Sequence, residues 1–589
     1  MSSSRGPDLG IIIAGQAGQG VQLSSEMLGR LFFRAGYEVF VSADVMSRIR
    51  GGHNFGRIRA SMRPVAANPG KASLLVALDP ETVPLHRDEL SEGAIVLAQE
   101  GGKLESDGSF ELVQGPFRDI ADKLGGRKVM ANMVALGAVT GLMGCDSSGL
   151  VGLLESRLRP VDAGLADRNI ACVRAGNDFI RSRARFGTLG RIDMSGRSEG
   201  RYFMSGAQAL ALGAVRAGVR LVAGYPMSPG TSVIEACAQL AEETGVLVEQ
   251  AEDEVSAINM AIGASFAGVL SAVATSGGGF SLMNEALSLA GITETGVVVF
   301  SGMRPGPATG LATRTSQADL LSAIYAGHGE FPRAVMCPGN GKQAFEDAHR
   351  AVLLAAKYHT PVLVLFDQYL GDAHWTVAGI GTEPARPVRQ DEIAGWPGIE
   401  PYSYQRYALT ETGVSARVLP GTRNQLVYAD SDEHTETGHI TESADTRVRM
   451  VDKRARKLQG LAAEVPPPPA PYPKPEADVA AVCFGSTAGA VEEAVEGLRA
   501  KGHAASAVLL DVLWPFPGSA LMDALAKCRS IVTVEGNSTG QLGQLLAQEC
   551  GIRTAGTISR YDGRPISVAD VEQGLLEYLR DKDDQAAGV

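Results

Sequence analysis

The stretch Val219-Arg220-Leu221-Val222-Ala223 passes directly into Gly224-Tyr225-Pro226-Met227-Ser228-Pro229-Gly230-Thr231. A short apolar run closed by a Gly/Pro turn reads as a buried strand ending at a sharp bend. The pattern recurs downstream. Strand-like runs at Leu270 to Ala274, Val297 to Ser301 and Pro361 to Phe366 alternate with helical stretches, clearest at Asn284 to Ala290 and Lys342 to Lys357. That alternation predicts an α/β domain with a doubly wound parallel sheet.

The same grammar extends in both directions. Upstream, Leu9 to Ala14 reads as a buried strand, followed by Gly15-Gln16-Ala17-Gly18-Gln19-Gly20 and a helix from Val21 to Ala35. Glu38-Val39-Phe40-Val41 is expected to complete a β-α-β unit. Further strands are expected at Ala72 to Leu78 and Ala94 to Ala98, and a helix at Val129 to Met143. We expect a first domain at 1–187, a polar linker at 188–200 and a second domain at 201–382. An irregular segment at 383–476 holds the acidic run Asp430 to His439, basic helical material at Arg447 to Leu461 and a stiff Pro466 to Pro471 spacer. A third α/β domain at 477–589 has strands at Val479 to Phe484, Ala505 to Leu510 and Ile531 to Val534.

With 589 residues, 45% hydrophobic and 20% charged, the chain has the composition of a soluble globular protein of about three domains. A net charge of −12 argues against a nucleic-acid partner, since phosphate binding needs a basic surface. It also does little to attract an acidic electron carrier. No apolar run reaches the length of a bilayer span and no secretion signal is evident, so a cytoplasmic protein with no membrane contact is expected. The 7 cysteines are far apart with no Cys-x-x-Cys pair, so neither zinc nor an iron–sulfur cluster is read on this chain.

Three segments carry chemistry. Ser228 lies in the Pro-rich turn; Glu254 opens an apolar helix bearing Ile258, Ala261, Ile262 and Phe266; Arg304 opens the Gly/Pro loop Arg304-Pro305-Gly306-Pro307-Ala308-Thr309-Gly310-Leu311-Ala312-Thr313. A hydroxyl, a shielded carboxylate and a guanidinium suit a small 2-oxo acid held beside an organic cofactor that needs one acidic contact. Plainer readings stand beside these. Glu252, Asp253 and Glu254 complement a helix dipole, Ser228 bonds its own backbone, and Arg304 is a solvated charge. Thr275-Ser276-Gly277-Gly278-Gly279-Phe280 follows a strand and allows close backbone approach. The Gly15–Gly20 loop has Gly-x-x-Gly-x-Gly spacing, not a dinucleotide fingerprint, and lacks a phosphate-gripping lysine.

In their order and wording the three segments resemble the α subunit of the 2-oxoacid:ferredoxin oxidoreductases. The first domain, with Ser47-Arg48-Ile49-Arg50-Gly51-Gly52-His53-Asn54, resembles that family's γ subunit fused ahead of α. Val534 to Leu542 resembles its transketolase-like carboxy-terminal domain, which is given no chemistry. The fold implied is α/β in three domains: a γ-type domain, a pyrimidine-type doubly wound parallel sheet as in thiamine-diphosphate enzymes, and a transketolase C-terminal-like domain. The resemblance implies that Glu254 bonds N1′ of the thiamine aminopyrimidine, favouring the imino form that generates the nucleophilic ylide. It implies that Arg304 and Thr313 bind a substrate carboxylate, with Arg314 a further candidate for a dicarboxylate's distal group. Ser228 stands where relatives more often have Thr, so the hydroxyl survives and a methyl is lost. Gly277, Gly278, Gly279 and Phe280 are expected on the pyrimidine side. Gly15, Gly18, Gln19 and Gly20 are a hypothesis for coenzyme A, with plain loop packing the alternative.

No Gly-Asp-Gly run with a following Asn is found, so the diphosphate, its Mg2+ and a 4Fe-4S cluster are expected on a β subunit. An α2β2 complex passing electrons to ferredoxin follows. The γ–α fusion and the acidic segment favour 2-oxoglutarate, with pyruvate or branched-chain 2-oxo acids as the alternative. Two other readings stay open: a nicotinamide-dependent dehydrogenase using the first domain, and a non-catalytic scaffold subunit.

Overall fold

The computed structural model describes residues 8–46, 52–68, 70–101, 104–183, 185–190, 192–381, 403–422, 425–466 and 476–587. Residues 47–51 of the γ-like stretch and nearly all of the polyproline spacer lie outside them. The chain forms two compact units, Met1–Met204 with Ala373–Gly379, and Ser205–Asp372 with Ile380–Val589.

The first unit is built on an eight-stranded sheet. Its order is Phe110–Gly115, Leu90–Gln99, Ala72–Ala77, Asp8–Gln16, His53–Ser61, Glu38–Asp44, His374–Ala378, Arg201–Ser205. Asp8–Gln16 is buried from Leu9 to Gly15 because both faces are covered. Ile11 and Ile13 join Leu28, Phe32 and Val134 on one side, while Ile12 and Ala14 join Leu75, Val83 and Val96 on the other. The expected β-α-β unit is present in split form, its two strands parallel but not adjacent. Asp8–Gln16 and Glu38–Asp44 are not neighbours; His53–Ser61 lies between them, antiparallel to both. Its alternation of half-buried Arg57 and Arg59 with buried Ile58 and Ala60 is the two-residue period of an antiparallel strand. Within the expected linker, the backbone at Leu189 and Ile192 packs on the end of the helix Ala131–Leu142. Leu189 N donates to Leu142 O (2.9 Å), and Ile192 N donates to Met143 O (3.0 Å).

The second unit contains two sheets. The larger runs Val512–Trp514, Ala334–Met336, Pro361–Asp367, Val297–Met303, Ser271–Ser276, Leu221–Gly224, Leu247–Gln250. All neighbours are parallel except the first pair. That antiparallel edge strand, Val512–Trp514, comes from the carboxy-terminal region. The smaller sheet, Ala505–Leu510, Ala477–Phe484, Cys528–Glu535, Gly556–Ser559, is wholly parallel. One core serves both sheets, joining Val299, Val335 and Leu363 to Val482, Phe484 and Leu510.

The described residues between 403 and 443 have little regular structure, yet they do not form a solvated loop. Arg406, Tyr407, Arg417 and His434 are buried, as are Lys453 and Lys457 on the following helix Ala444–Glu464. Arg417 donates to Phe266 O (2.7 Å) and to Ser265 O, the last carbonyls of the helix Glu254–Phe266. Arg406 donates to Glu294 O (2.6 Å), just past the helix Asn284–Ile292, and His434 Nε2 meets Ile292 O at 3.1 Å. Cations at helix carboxyl ends are favourable because the unpaired carbonyls carry the negative end of the dipole. The acidic run is likewise engaged. Glu433 binds Arg447 (2.6 Å) and Arg454 (2.8 Å), and Glu436 binds Arg449 (3.3 Å).

Candidate functional site

Glu254 is the first residue of its helix because Asp253 caps it, accepting from Ser256 N at 2.7 Å. The three neighbouring acids therefore divide. Glu252 and Asp253 are exposed, whereas Glu254 turns inward and is 4% exposed. Its Oε1 is shielded and has no hydrogen-bond partner among the described residues. A shielded acceptor left unbonded is costly, and a donor that reached it would relieve that cost.

The helix Gly277–Leu282 provides the facing wall. A Cβ added at Gly279 would lie 2.5 Å from both Cγ and Oε1 of Glu254, so only glycine leaves the carboxylate its place. A Cβ at Gly277 would lie 2.8 Å from Asp319 Oδ2, and one at Gly278 3.9 Å from Met227 Sδ. Phe280 is buried in the core shared by the two sheets.

These loops leave the carboxyl ends of three adjacent parallel strands, Leu221–Gly224, Ser271–Ser276 and Val297–Met303. After Leu221–Gly224 the chain winds outward to the edge strand Leu247–Gln250, then returns to place Ser271–Ser276 on the other side. Such a reversal opens a crevice beyond the strand ends, the usual ligand position in this sheet type. Arg304 follows Val297–Met303 and donates from Nη1 to Ser228 O at 2.8 Å. It is 9% exposed, and its Nε is shielded and unbonded among the described residues. Thr313 and Arg314 are half-buried further along that loop, where Thr315 N donates to Gly563 O at 3.2 Å.

Asp319 was invisible in the sequence. It precedes the short helix Leu320–Ile324, where an aspartate reads as a cap, yet its side chain makes no capping bond. Oδ2 is shielded and unpartnered among the described residues. Burial pushes this carboxyl up to about 6, and the nearby Arg304 charge pulls partly the other way.

In the first unit, Gly18 and Gly20 take left-handed backbone angles, φ 90° and 75°, before the helix Val21–Arg34. Much of the loop bonds to the chain itself. Gln19 Oε1 accepts from Gln16 N (2.9 Å), Ala17 N donates to Gly52 O (3.3 Å) and Gln19 N donates to Gln16 O (3.1 Å). Among the described residues no group of three or more His, Cys, Asp or Glu is placed to hold a metal, and no helix is long and apolar enough to cross a membrane.

The structure thus brings a shielded acid against a glycine wall, and a buried arginine, to the carboxyl-end side of one parallel sheet. Comparison with known proteins gives the family. Residues 212–453 match the family model "Pyruvate flavodoxin/ferredoxin oxidoreductase, thiamine diP-bdg", residues 10–179 "Pyruvate ferredoxin/flavodoxin oxidoreductase", and residues 477–571 "Pyruvate:ferredoxin oxidoreductase core domain II". The 2-oxoacid:ferredoxin oxidoreductase subunit alpha of Sulfolobus sp is 30% identical over 97% of both chains. The 2-oxoglutarate oxidoreductase subunit KorA of Mycobacterium tuberculosis is 28% identical, covering 91% of this chain and 86% of that one. The solved 2-oxoglutarate:ferredoxin oxidoreductase of Magnetococcus marinus, with 2-oxoglutarate, coenzyme A and succinyl-CoA bound, superposes with a TM-score of 0.87 at 28% identity, covering 98% of this chain and 100% of that one. The chain belongs to the 2-oxoacid:ferredoxin oxidoreductase α-subunit family, and so is one subunit of a multi-subunit oxidoreductase.

Proposed function

We propose that this subunit serves the CoA-dependent oxidative decarboxylation of 2-oxoglutarate with ferredoxin as electron acceptor. Reactants are 2-oxoglutarate, CoA and two oxidised ferredoxins; products are succinyl-CoA, CO2, a proton and two reduced ferredoxins. One observation carries the reading: the shielded, unbonded Oε1 of Glu254 against Gly279, within the region that matches a thiamine-diphosphate-binding model.

When bound, thiamine diphosphate supplies a cationic ring that accepts the electron pair freed by loss of CO2. Glu254 holds a proton at ring atom N1′ and so sets the ring's acid–base state. Gly277, Gly278 and Gly279 leave room for the ring, with Phe280 fixing their helix from below. Arg304 grips a substrate carboxylate, with Ser228 and Thr313 adding hydroxyls and Arg314 reaching the distal carboxylate. Gly15, Gly18, Gln19 and Gly20 serve the coenzyme A side, through the Gly18 and Gly20 amides rather than those already spent within the loop. A β subunit carries Mg2+, the diphosphate contacts and a 4Fe-4S cluster in a cytoplasmic α2β2 complex. The substrate choice is supported by the Magnetococcus marinus and Mycobacterium tuberculosis relatives. The Sulfolobus relative, named only for 2-oxo acids, favours a broader range as the second reading.

Glu254→Gln in the reconstituted complex should lower turnover by about 10²–10⁴-fold, with the thermal unfolding midpoint unchanged or raised. Normal turnover would return the chain to a scaffold role. A panel of 2-oxo acids with an artificial electron acceptor tests the substrate, 2-oxoglutarate being expected to show the highest kcat/KM.

A further inference from the structure

We infer that Asp319 is a positioning partner of Arg304, and that its protonated form is the one that admits the carboxylate substrate. The inference rests on the reading of Arg304 given above and deepens it.

Arg304 and Asp319 are opposite charges near enough for each to act on the other's titration, yet they form no ion pair. Arg304 spends Nη1 on Ser228 O at 2.8 Å and leaves Nε shielded and unbonded; Asp319 leaves Oδ2 shielded and unbonded. Two shielded polar groups without partners are a standing cost that a ligand relieves. A carboxylate relieves both. Its oxygens accept from the guanidinium and from a protonated carboxyl, whereas an ionised Asp319 repels it.

The segment that carries Asp319 is fastened on both sides. Gln317 N donates to Gly536 O (2.8 Å) and Gln317 Nε2 to Phe484 O (2.7 Å). Beyond Asp319, Leu321 N donates to Gln541 Oε1 (3.0 Å), while Gln541 Nε2 donates to Ala318 O (2.7 Å). The carboxy-terminal sheet and its helix thus hold this carboxyl in place. Arg304 is the charged group whose field acts on Asp319, and a Cβ at Gly277 would lie 2.8 Å from Asp319 Oδ2.

The direction follows. With the empty site titrating at about 6, Asp319 is largely ionised at neutral pH. An arriving carboxylate raises that value further, so binding takes up a proton and weakens as pH climbs.

The test uses the purified α–β complex and glutarate, a dicarboxylate that lacks the reactive oxo group. Titration calorimetry in two buffers of different ionisation heat, from about pH 6.5 to about 8.5, counts protons. Wild type should take up a fraction of a proton per glutarate that grows from about pH 6.5 toward neutral pH, with Kd rising up to about tenfold per pH unit. Asp319→Asn should bind without proton uptake and without the slope, and should change KM for the 2-oxo acid more than kcat. Absence of uptake in wild type, or an unchanged slope in Asp319→Asn, overturns the role of Asp319. Arg304→Ala with unaltered glutarate affinity, or a wild-type complex that binds no glutarate, overturns the reading of Arg304 itself.

Discussion

A single methyl group at position 279 would run into Thr275 Oγ1 and Glu254 together. Its Cβ would sit 2.5 Å from Oε1, inside any van der Waals contact, and the carboxylate would have to leave its place. Gly279→Ala should therefore destabilise the chain by about 1–3 kcal/mol, the usual cost of overpacking. It should also raise the Kd for thiamine diphosphate at least tenfold, read by cofactor titration of the complex. A variant with wild-type cofactor affinity would separate Glu254 from the ring. At this scale the sequence was informative where chemistry and local pattern coincide. An acid opening an apolar helix is visible in Glu252-Asp253-Glu254, but which acid caps and which turns inward depends on the fold. Asp319 carried no such sign, since an aspartate before Leu320 and Leu321 is indistinguishable from an ordinary cap. The Gly15–Gly20 loop showed its glycines but not that Gln19 would fold back on Gln16.

Among elements, the helices with clear period and the buried strands were legible: Gly341–Tyr358 and Pro361–Asp367 lie within a residue of expectation. The sequence hides His53–Ser61 because apolar Phe55 shares a face with Arg57 and Arg59 while Gly56 shares the buried face of Ile58 and Ala60, which blurs the two-residue period. The segment before Ala444–Glu464 was read as irregular, which its backbone largely is; its ion pairs, spanning distant positions, have no periodic trace. Those pairs make the helix Ala444–Glu464 sensitive to acid. Burial alone would raise the carboxyl of Glu433, but hydrogen bonds from Arg454 and Arg447 prevail and hold it down at about 2, from an ordinary 4.5. A depressed carboxyl adds stability above its ordinary value and loses it as pH falls from about 4.5 toward about 2. Glu433→Gln should lose about 1–2 kcal/mol at neutral pH, allowing for solvent screening. Its denaturant midpoint should then fall less steeply than wild type below about pH 4.5. Parallel acid slopes in the two proteins would remove this cluster from the acid response.

On the scale of the whole second unit, the question is what makes two sheets behave as one body. The shared apolar core is one answer, and the edge strand Val512–Trp514 pairing with Ala334–Met336 is another. Gln317 is the third, and it ties the joint to the site. Its amide donates to Phe484 O at 2.7 Å and accepts from Gly536 N at 2.7 Å, while its backbone carbonyl takes Asn537 Nδ2 at 3.2 Å. Gln317→Ala keeps the backbone bonds and leaves Phe484 O its bond from Thr487 Oγ1 (2.8 Å), but strands Gly536 N, at about 1–3 kcal/mol. The core alone does not make up that loss locally, so the carboxy-terminal sheet should loosen before the larger sheet unfolds. Scanning calorimetry of the full chain should show the second unit melting as one transition in wild type and with a separate, earlier shoulder in Gln317→Ala. Because Asp319 lies two residues beyond the fastening, the same variant should raise KM for the 2-oxo acid at temperatures well below that shoulder. A single unshifted transition with unchanged KM would mean that the apolar core and the edge strand suffice, and that Gln317 merely fills the space between them.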